Sequence, residues 1–196
     1  MFSLAQGKEL VQAARKAVLS KFDNKPFKLK GFEEKRGVFV TINGYPDHDL
    51  KGCIGFPEPV FPLNDAIVQA AESAASLDPR FAPLEKEDLD KVLFEVSVLT
   101  KPELVEVKDA KEYKEKIKIG QDGLVAEQSG YKGLLLPQVA PEHKMDWEEF
   151  LSCTCEKAGL PSDAWKDIGS IKIYKFQAQI FEETKPNGKI IESKDF

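Results

Sequence analysis

Within LKGCIG (50–55) an ammonium and a thiol stand two residues apart. In an extended strand Lys51 and Cys53 point to the same side, with Cα atoms about 6.6 Å apart. A nearby ammonium favours the thiolate and lowers a cysteine pKa. The flanking Gly52 and Gly55 leave room for a ligand or another backbone to approach. One reading is therefore a reactive or ligand-contacting thiol, with Cys53 as the candidate nucleophile. The other is a small apolar side chain under a helix, which is how free cysteine commonly behaves. A cysteine beside a lysine is a common coincidence, so spacing alone favours the second.

A cysteine nucleophile also needs a base or a cation. His48 lies five residues before Cys53, about 16 Å along one extended strand, unless a loop folds back. Glu142 and His143, in APEH, reach Cys53 only if the two halves of the chain meet there. Arg80, in DPRF (78–81), places a fixed positive charge after a predicted helix end. It suits an anionic small molecule; the plainer reading is a turn with Arg80 tied to a local carboxylate or carbonyl. Cys153 and Cys155 sit at i and i+2 of a predicted helix, about 200° apart, and cannot share one zinc ion. Cys155 reads as core and Cys153 as outward. With no C-x-x-C or H-x-x-x-H pairing, no metal site or cofactor is expected. There is no phosphate-binding loop, dinucleotide fingerprint or nucleophile-elbow serine.

These residues need elements to position them. Ser3 is placed to cap a helix over 3–21, with Leu4, Leu10, Val11, Ala14 and Val18 on one face. GVFVTIN (37–43) and LKGCIGF (50–56) read as a hairpin around GYPDHD. In the second strand Leu50, Gly52, Ile54 and Phe56 should face a core, leaving Lys51, Cys53 and Gly55 on the other side. A helix over 62–77 follows, with small residues on its buried face, and Asp78-Pro79 ends it. VLFEVSVLT (92–100) is a strand. The second half echoes this order. KIG (118–120), GLVAEQ (123–128) and LLLPQ (134–138) read as extended, with Gly120–Gly123 as a hairpin turn. A helix over about 145–158 and a long strand over 169–183, bulged near Tyr174, complete it. The tail TKPNGKIIESKDF reads as surface. Strand–strand–helix–strand thus occurs twice, at 37–100 and 118–183. Hairpins mixed with helices predict an α+β protein with largely antiparallel pairing, in two lobes within one domain over 1–196, the N-terminal helix packing on one lobe.

The chain has 196 residues and a net charge of −5, and its arginines are Arg15, Arg36 and Arg80. An acidic chain poor in arginine argues against general nucleic-acid binding. Three cysteines in a chain of this length argue against a disulfide framework. No apolar run approaches the ~20 residues of a membrane span, and the N-terminus lacks a signal-peptide core. No membrane role and a cytoplasmic location are expected.

Seven segments occur in the same order as in the AMMECR-type family: RGVFVTI (36–42), LKGCIGF (50–56), SLDPRF (76–81), VSVLTKPEL (96–104), IGQDGLVAEQ (119–128), GLLLPQVAPE (133–142) and FLSCTCEKAGLP (150–161). The chain resembles that family over most of residues 1–183. The resemblance implies a two-lobed α+β protein with an LRGCIG-type motif near an inter-lobe cleft, carried here by Leu50, Lys51, Gly52, Cys53, Ile54 and Gly55. Lys51 stands where the motif usually has arginine, which keeps the charge and loses the bidentate fork. The resemblance also implies an accessory role beside Memo-type and radical-SAM proteins. Two functions stay open: a binding or accessory module holding an anionic molecule or peptide near Lys51 and Arg80, and a thiol-dependent enzyme using Cys53, with His143 or Glu142 as base.

Overall fold

The computed structural model describes residues 1–193. In chain order the elements are α1 (Leu4–Phe22), β1 (Val38–Gly44), β2 (Leu50–Phe56), α2 (Leu63–Ser76), β3 (Val92–Leu99), β4 (Glu103–Leu104), α3 (Tyr113–Lys116), β5 (Gly123–Gln128), β6 (Tyr131–Leu135), α4 (Val139–Glu142), α5 (Trp147–Lys157), β7 (Lys172–Phe176), β8 (Ala178–Glu183) and β9 (Ile190–Ser193). They form two units, residues 1–99 with 179–193, and residues 100–178.

The first unit is a five-stranded sheet, ordered β2-β1-β3-β8-β9, with α1 and α2 on one face. Period-two patterning explains the arrangement. Val38, Val40 and Ile42 of β1 and Phe94, Val96 and Val98 of β3 are buried against the helices. Phe39, Thr41, Glu95 and Ser97 fall on the opposite face and are half-buried. α1 begins at Ser3, whose hydroxyl accepts the Gln6 N–H while the Gln6 side chain accepts the Ser3 N–H. Such reciprocal capping satisfies two donors that a helix start otherwise leaves open. Leu4, expected on the buried face, is 41% exposed because it lies in the first turn, ahead of the sheet contact. α2 buries Ala66, Ala70, Ala71 and Ala74, small enough for its backbone to lie close to β2.

The second unit is a four-stranded sheet, ordered β4-β7-β5-β6, with α5 packed on β5 and β6. Its core contains Leu124, Ala126, Phe150, Leu151, Cys155, Trp165 and Ile173. Cys155 is buried and Cys153 only half-buried, as the helical spacing predicts. The expected repetition is visible in the topology. β1-β2-α2-β3 and β5-β6-α5-β7 are each a hairpin, a helix and a returning strand that pairs antiparallel with the hairpin's first strand.

Three sequence expectations are corrected. KIG is not a strand. The Lys118 carbonyl accepts from the Gln121 and Asp122 N–H groups, and Asp122 accepts the Lys118 N–H in return, so Lys118–Asp122 closes as a turn ahead of β5 and joins no hairpin. The strand expected over 169–183 is two strands divided at Gln177, not bulged at Tyr174. Thr100 takes both main-chain groups of Gln177, its N–H reaching the Gln177 carbonyl at 2.8 Å and its hydroxyl accepting the Gln177 N–H at 2.9 Å. β7 then belongs to the second sheet and β8 to the first. The tail is not all surface: β9 pairs with β8 and buries Ile190. Its last three residues, 194–196, lie outside the described residues.

Candidate functional site

β2 is an edge strand, with one side of its backbone on β1 and the other open. An open edge leaves main-chain groups unpaired. At Cys53 the turn after α2 supplies the partners. Asp78 accepts the Cys53 N–H at 2.9 Å, and Arg80 Nη2 donates to the Cys53 carbonyl at 3.3 Å. Arg80 is locked to Asp78 by Nε–Oδ1 at 3.0 Å and Nη2–Oδ2 at 2.7 Å. Asp78 and Arg80 therefore present an acceptor and a donor to the strand as a neighbouring peptide unit does. Pro79 stops α2 and leaves these two side chains aimed at the edge. The Arg80 bonds, with help from the Cys53 N–H, hold the buried Asp78 carboxyl well below the usual carboxylate range.

The expected influence of Lys51 on the thiol is not found. Lys51 Nζ lies 2.6 Å from Asp49 Oδ2, and that hydrogen bond raises the lysine pKa. The half-buried Cys53 thiol is pushed up, first by burial, with Glu95 and Asp78 adding to the shift and Thr41 and Arg80 opposing it. The face predicted for Cys53 is correct; the charge environment is not, because Lys51 bonds back to Asp49, in the turn just before its strand.

On that face Cys53 belongs to a polar row. Thr41 of β1 pairs with Cys53 on one side and Glu95 of β3 on the other. The Cys53 N–H points out to Asp78, so Thr41–Cys53 is the non-hydrogen-bonded kind of antiparallel pair, in which side chains approach more closely. Thr41 Oγ1 stands 3.3 Å from Cys53 Sγ. Ser97 donates to Glu95 Oε1 at 3.1 Å. Burial pushes the Glu95 carboxyl up and the charge of Glu182 adds to this, while bonding to Ser97 and Thr41 works against it.

The two motif glycines have occupants of their own. A Cβ on Gly52 would stand 2.1 Å from the Ala74 carbonyl oxygen, so glycine here lets α2 close on β2. A Cβ on Gly55 would stand 2.3 Å from the Val38 carbonyl oxygen and 2.5 Å from the Phe39 ring. The clearance read as room for a ligand is filled from within the chain. Ile54 and Phe56 pack on the core, as expected. Leu50 and Lys51 line a groove of about 660 Å³ with Tyr45, Asp49, Phe81 and Leu84.

His48 is exposed in the β1–β2 turn, and no hydrogen bond joins it to Cys53. Glu142 and His143 are exposed at the end of α4, in the second unit, where His143 lines a pocket of about 440 Å³ with Met145 and Cys153. Among the described residues no group of three or more His, Cys, Asp or Glu side chains is placed to hold a metal ion, and no helix is long and apolar enough to cross a membrane. Thr41, Asp78 and Glu95 are site residues that sequence reasoning missed. Thr41 and Glu95 lie at the right parity in strands that were read correctly; only the register brings them beside Cys53.

The AMMECR1 family model matches residues 11–181. The chain belongs to the AMMECR1 family. Its relatives in that family include Protein MJ0810 of Methanocaldococcus jannaschii, 50% identical over 198 residues that cover 99% of this chain and 98% of that one. Protein PH0010 of Pyrococcus horikoshii is 54% identical over 160 residues, covering 80% of this chain and 77% of the relative. The crystal structure of uncharacterized protein PH0010 superposes with a TM-score of 0.80 at 47% identity, covering 95% of this chain and 96% of that one. The AMMECR1 architecture thus includes the antiparallel sheets and packed helices that carry Cys53 here.

Proposed function

We propose that this AMMECR1-family chain is a binding or accessory module, acting through the Leu50–Gly55 strand and the side chains around it. The observation that carries this reading is the engagement of the cations beside Cys53. Lys51 is held by Asp49 and Arg80 by Asp78, and burial pushes the Cys53 thiol pKa up, away from the thiolate. A dedicated thiol enzyme instead sets its cysteine in an electropositive pocket that lowers its pKa. The Arg80 side chain is 56% exposed, so its outward edge supports an anionic group on a small molecule or partner peptide. On the family resemblance the partners are a Memo-type and a radical-SAM protein, and the working compartment is the cytoplasm.

The test is affinity capture from the native cells with the tagged chain and its Cys53→Ser variant, read by mass spectrometry. Both should retain a Memo-type or radical-SAM protein. A partner list without either type counts against the proposed partners. Loss of capture in Cys53→Ser alone counts for the alternative, a thiol-dependent enzyme with Cys53 as nucleophile.

A further inference from the structure

We propose that the groove beside Leu50 and Lys51 binds a small organic ammonium ion, a charged amine on a flat apolar body, with the rings of Tyr45 and Phe81 and the carboxylates of Asp47 and Asp88 as its recognition groups. This goes beyond the accessory reading and does not rest on it; failure of amine binding leaves the capture experiment unaffected.

The groove lies wholly within the first unit. Its volume of about 660 Å³ falls in the ~300–1,000 Å³ range of small-molecule sites and exceeds what one side chain fills. Its walls are tied down by the main chain. In the β1–β2 turn the Tyr45 N–H donates to the Lys91 carbonyl at 2.8 Å, and the Gly44 N–H to the Asp49 carbonyl at 2.8 Å. In the segment after Arg80 the Leu84 N–H donates to the Ala75 carbonyl at 2.8 Å, which fastens that wall to α2. A site shaped before binding loses less to ordering when a ligand arrives.

The lining sets the chemistry of the ligand. Tyr45 is 45% exposed and Phe81 half-buried, so both rings offer the groove open aromatic surface. The face of such a ring attracts a cation. Phe81 already carries one, with Arg80 Cζ 5.2 Å from its ring centroid. Leu50 and Leu84 add apolar surface for the body of the ligand. The charged side chains of the lining are Asp47, Asp49 and Asp88 with Lys51 and Lys91. Lys51 is engaged by Asp49 at 2.6 Å, which leaves Asp47 and Asp88 against Lys91 and one negative charge in surplus. Asp88 is also fixed in place: its Oδ2 accepts the Glu85 N–H at 3.0 Å, while its Oδ1 takes no hydrogen bond among the described residues. Asp47 and Asp88 both act on the Lys51 ammonium as well, so the groove already accommodates an ammonium among carboxylates.

Three probes share a phenyl body: phenethylamine, a cation at pH 7, its neutral alcohol analogue phenethyl alcohol, and the anion phenylpropionate. Each is titrated into the isotope-labelled, full-length chain at pH 7, and backbone amide shifts are followed by two-dimensional NMR. Phenethylamine is expected to give saturable shifts at Tyr45, Lys51, Phe81 and Leu84, with the alcohol weaker and the acid weakest. Asp47→Asn and Asp88→Asn should each weaken the amine about fivefold, the scale of a partly exposed ion pair, and leave the alcohol unchanged. Tyr45→Ala should weaken the amine about threefold, the scale of a cation–π contact at an exposed site. Amide shifts elsewhere in the chain, unchanged in the variants, control for folding. The acid binding more tightly than the amine would make Lys51 and Lys91 the recognition groups and overturn the proposal. So would an amine that gives no saturable shift at the groove, or one that binds both asparagine variants as tightly as wild type.

Discussion

Asp78 accepts the main-chain N–H of Cys53 at 2.9 Å, joining the turn after α2 to the open edge of β2. The same carboxylate holds Arg80 in place to donate to the Cys53 carbonyl. Asp78→Ala is expected to cost about 1–3 kcal/mol, the usual penalty for leaving buried polar groups unpaired. Urea denaturation should show a lower midpoint with an unchanged slope. The pH dependence follows from the depressed Asp78 pKa. Its stabilisation is complete above the ordinary value of 3.8 and is lost as pH falls from there toward the lowered folded value. Asp78→Ala should therefore flatten the acid limb of the stability curve and lose most relative to wild type at neutral pH.

Gly52 and Gly55 differ in what meets an added methyl. At Gly52 it meets the Ala74 carbonyl of α2, which cannot move without shifting the helix. At Gly55 it meets the Val38 carbonyl and the Phe39 ring. Overpacking typically costs about 1–3 kcal/mol, and Gly52→Ala should reach at least the upper end. Thermal and urea unfolding of the two alanine variants measure this; wild-type stability in Gly52→Ala would refute the packing role of that glycine.

Arg15 and Glu183 form a buried pair in the first unit, with Arg15 Nε 2.8 Å from Glu183 Oε1. Arg15 also donates to the Leu89 and Val92 carbonyls, and Glu183 accepts the Phe94 N–H. Arg15→Met leaves the Glu183 carboxylate buried without its cation, and loss of about 3–5 kcal/mol is expected. The denaturation midpoint checks it.

Lys51 is engaged by Asp49 at the start of β2. Lys51→Ala should therefore leave the alkylation rate of Cys53 unchanged. A clear slowing would restore the lysine as the electrostatic partner of the thiol.

Much of this was legible in the sequence because it depends on local periodicity. The capped first helix, the hairpin around 44–49, the face carrying Cys53 and the inward Cys155 follow from spacings of 2 and 3.6 residues. What was not legible depends on pairing between distant segments. Asp78 lies 25 residues from Cys53, and neither periodicity nor composition shows that its carboxylate meets that N–H. Thr41 and Glu95 become neighbours only once β1 is known to lie between β2 and β3. Lys51 misled for the same reason, since strand parity placed it beside Cys53 while its long side chain bonds Asp49. Gln177 misled because a strand-like run continues through the point where the chain changes sheets.

The most direct test of the account is the pH dependence of Cys53 alkylation in the folded protein, resolved from Cys153 and Cys155 by peptide mass spectrometry. A Cys53 thiol pKa pushed up by burial predicts a main titration above the ~8.5 of a free cysteine. An apparent pKa clearly below that value would make Cys53 a resting thiolate in a positive field, and would contradict the binding-module reading in favour of a thiol enzyme.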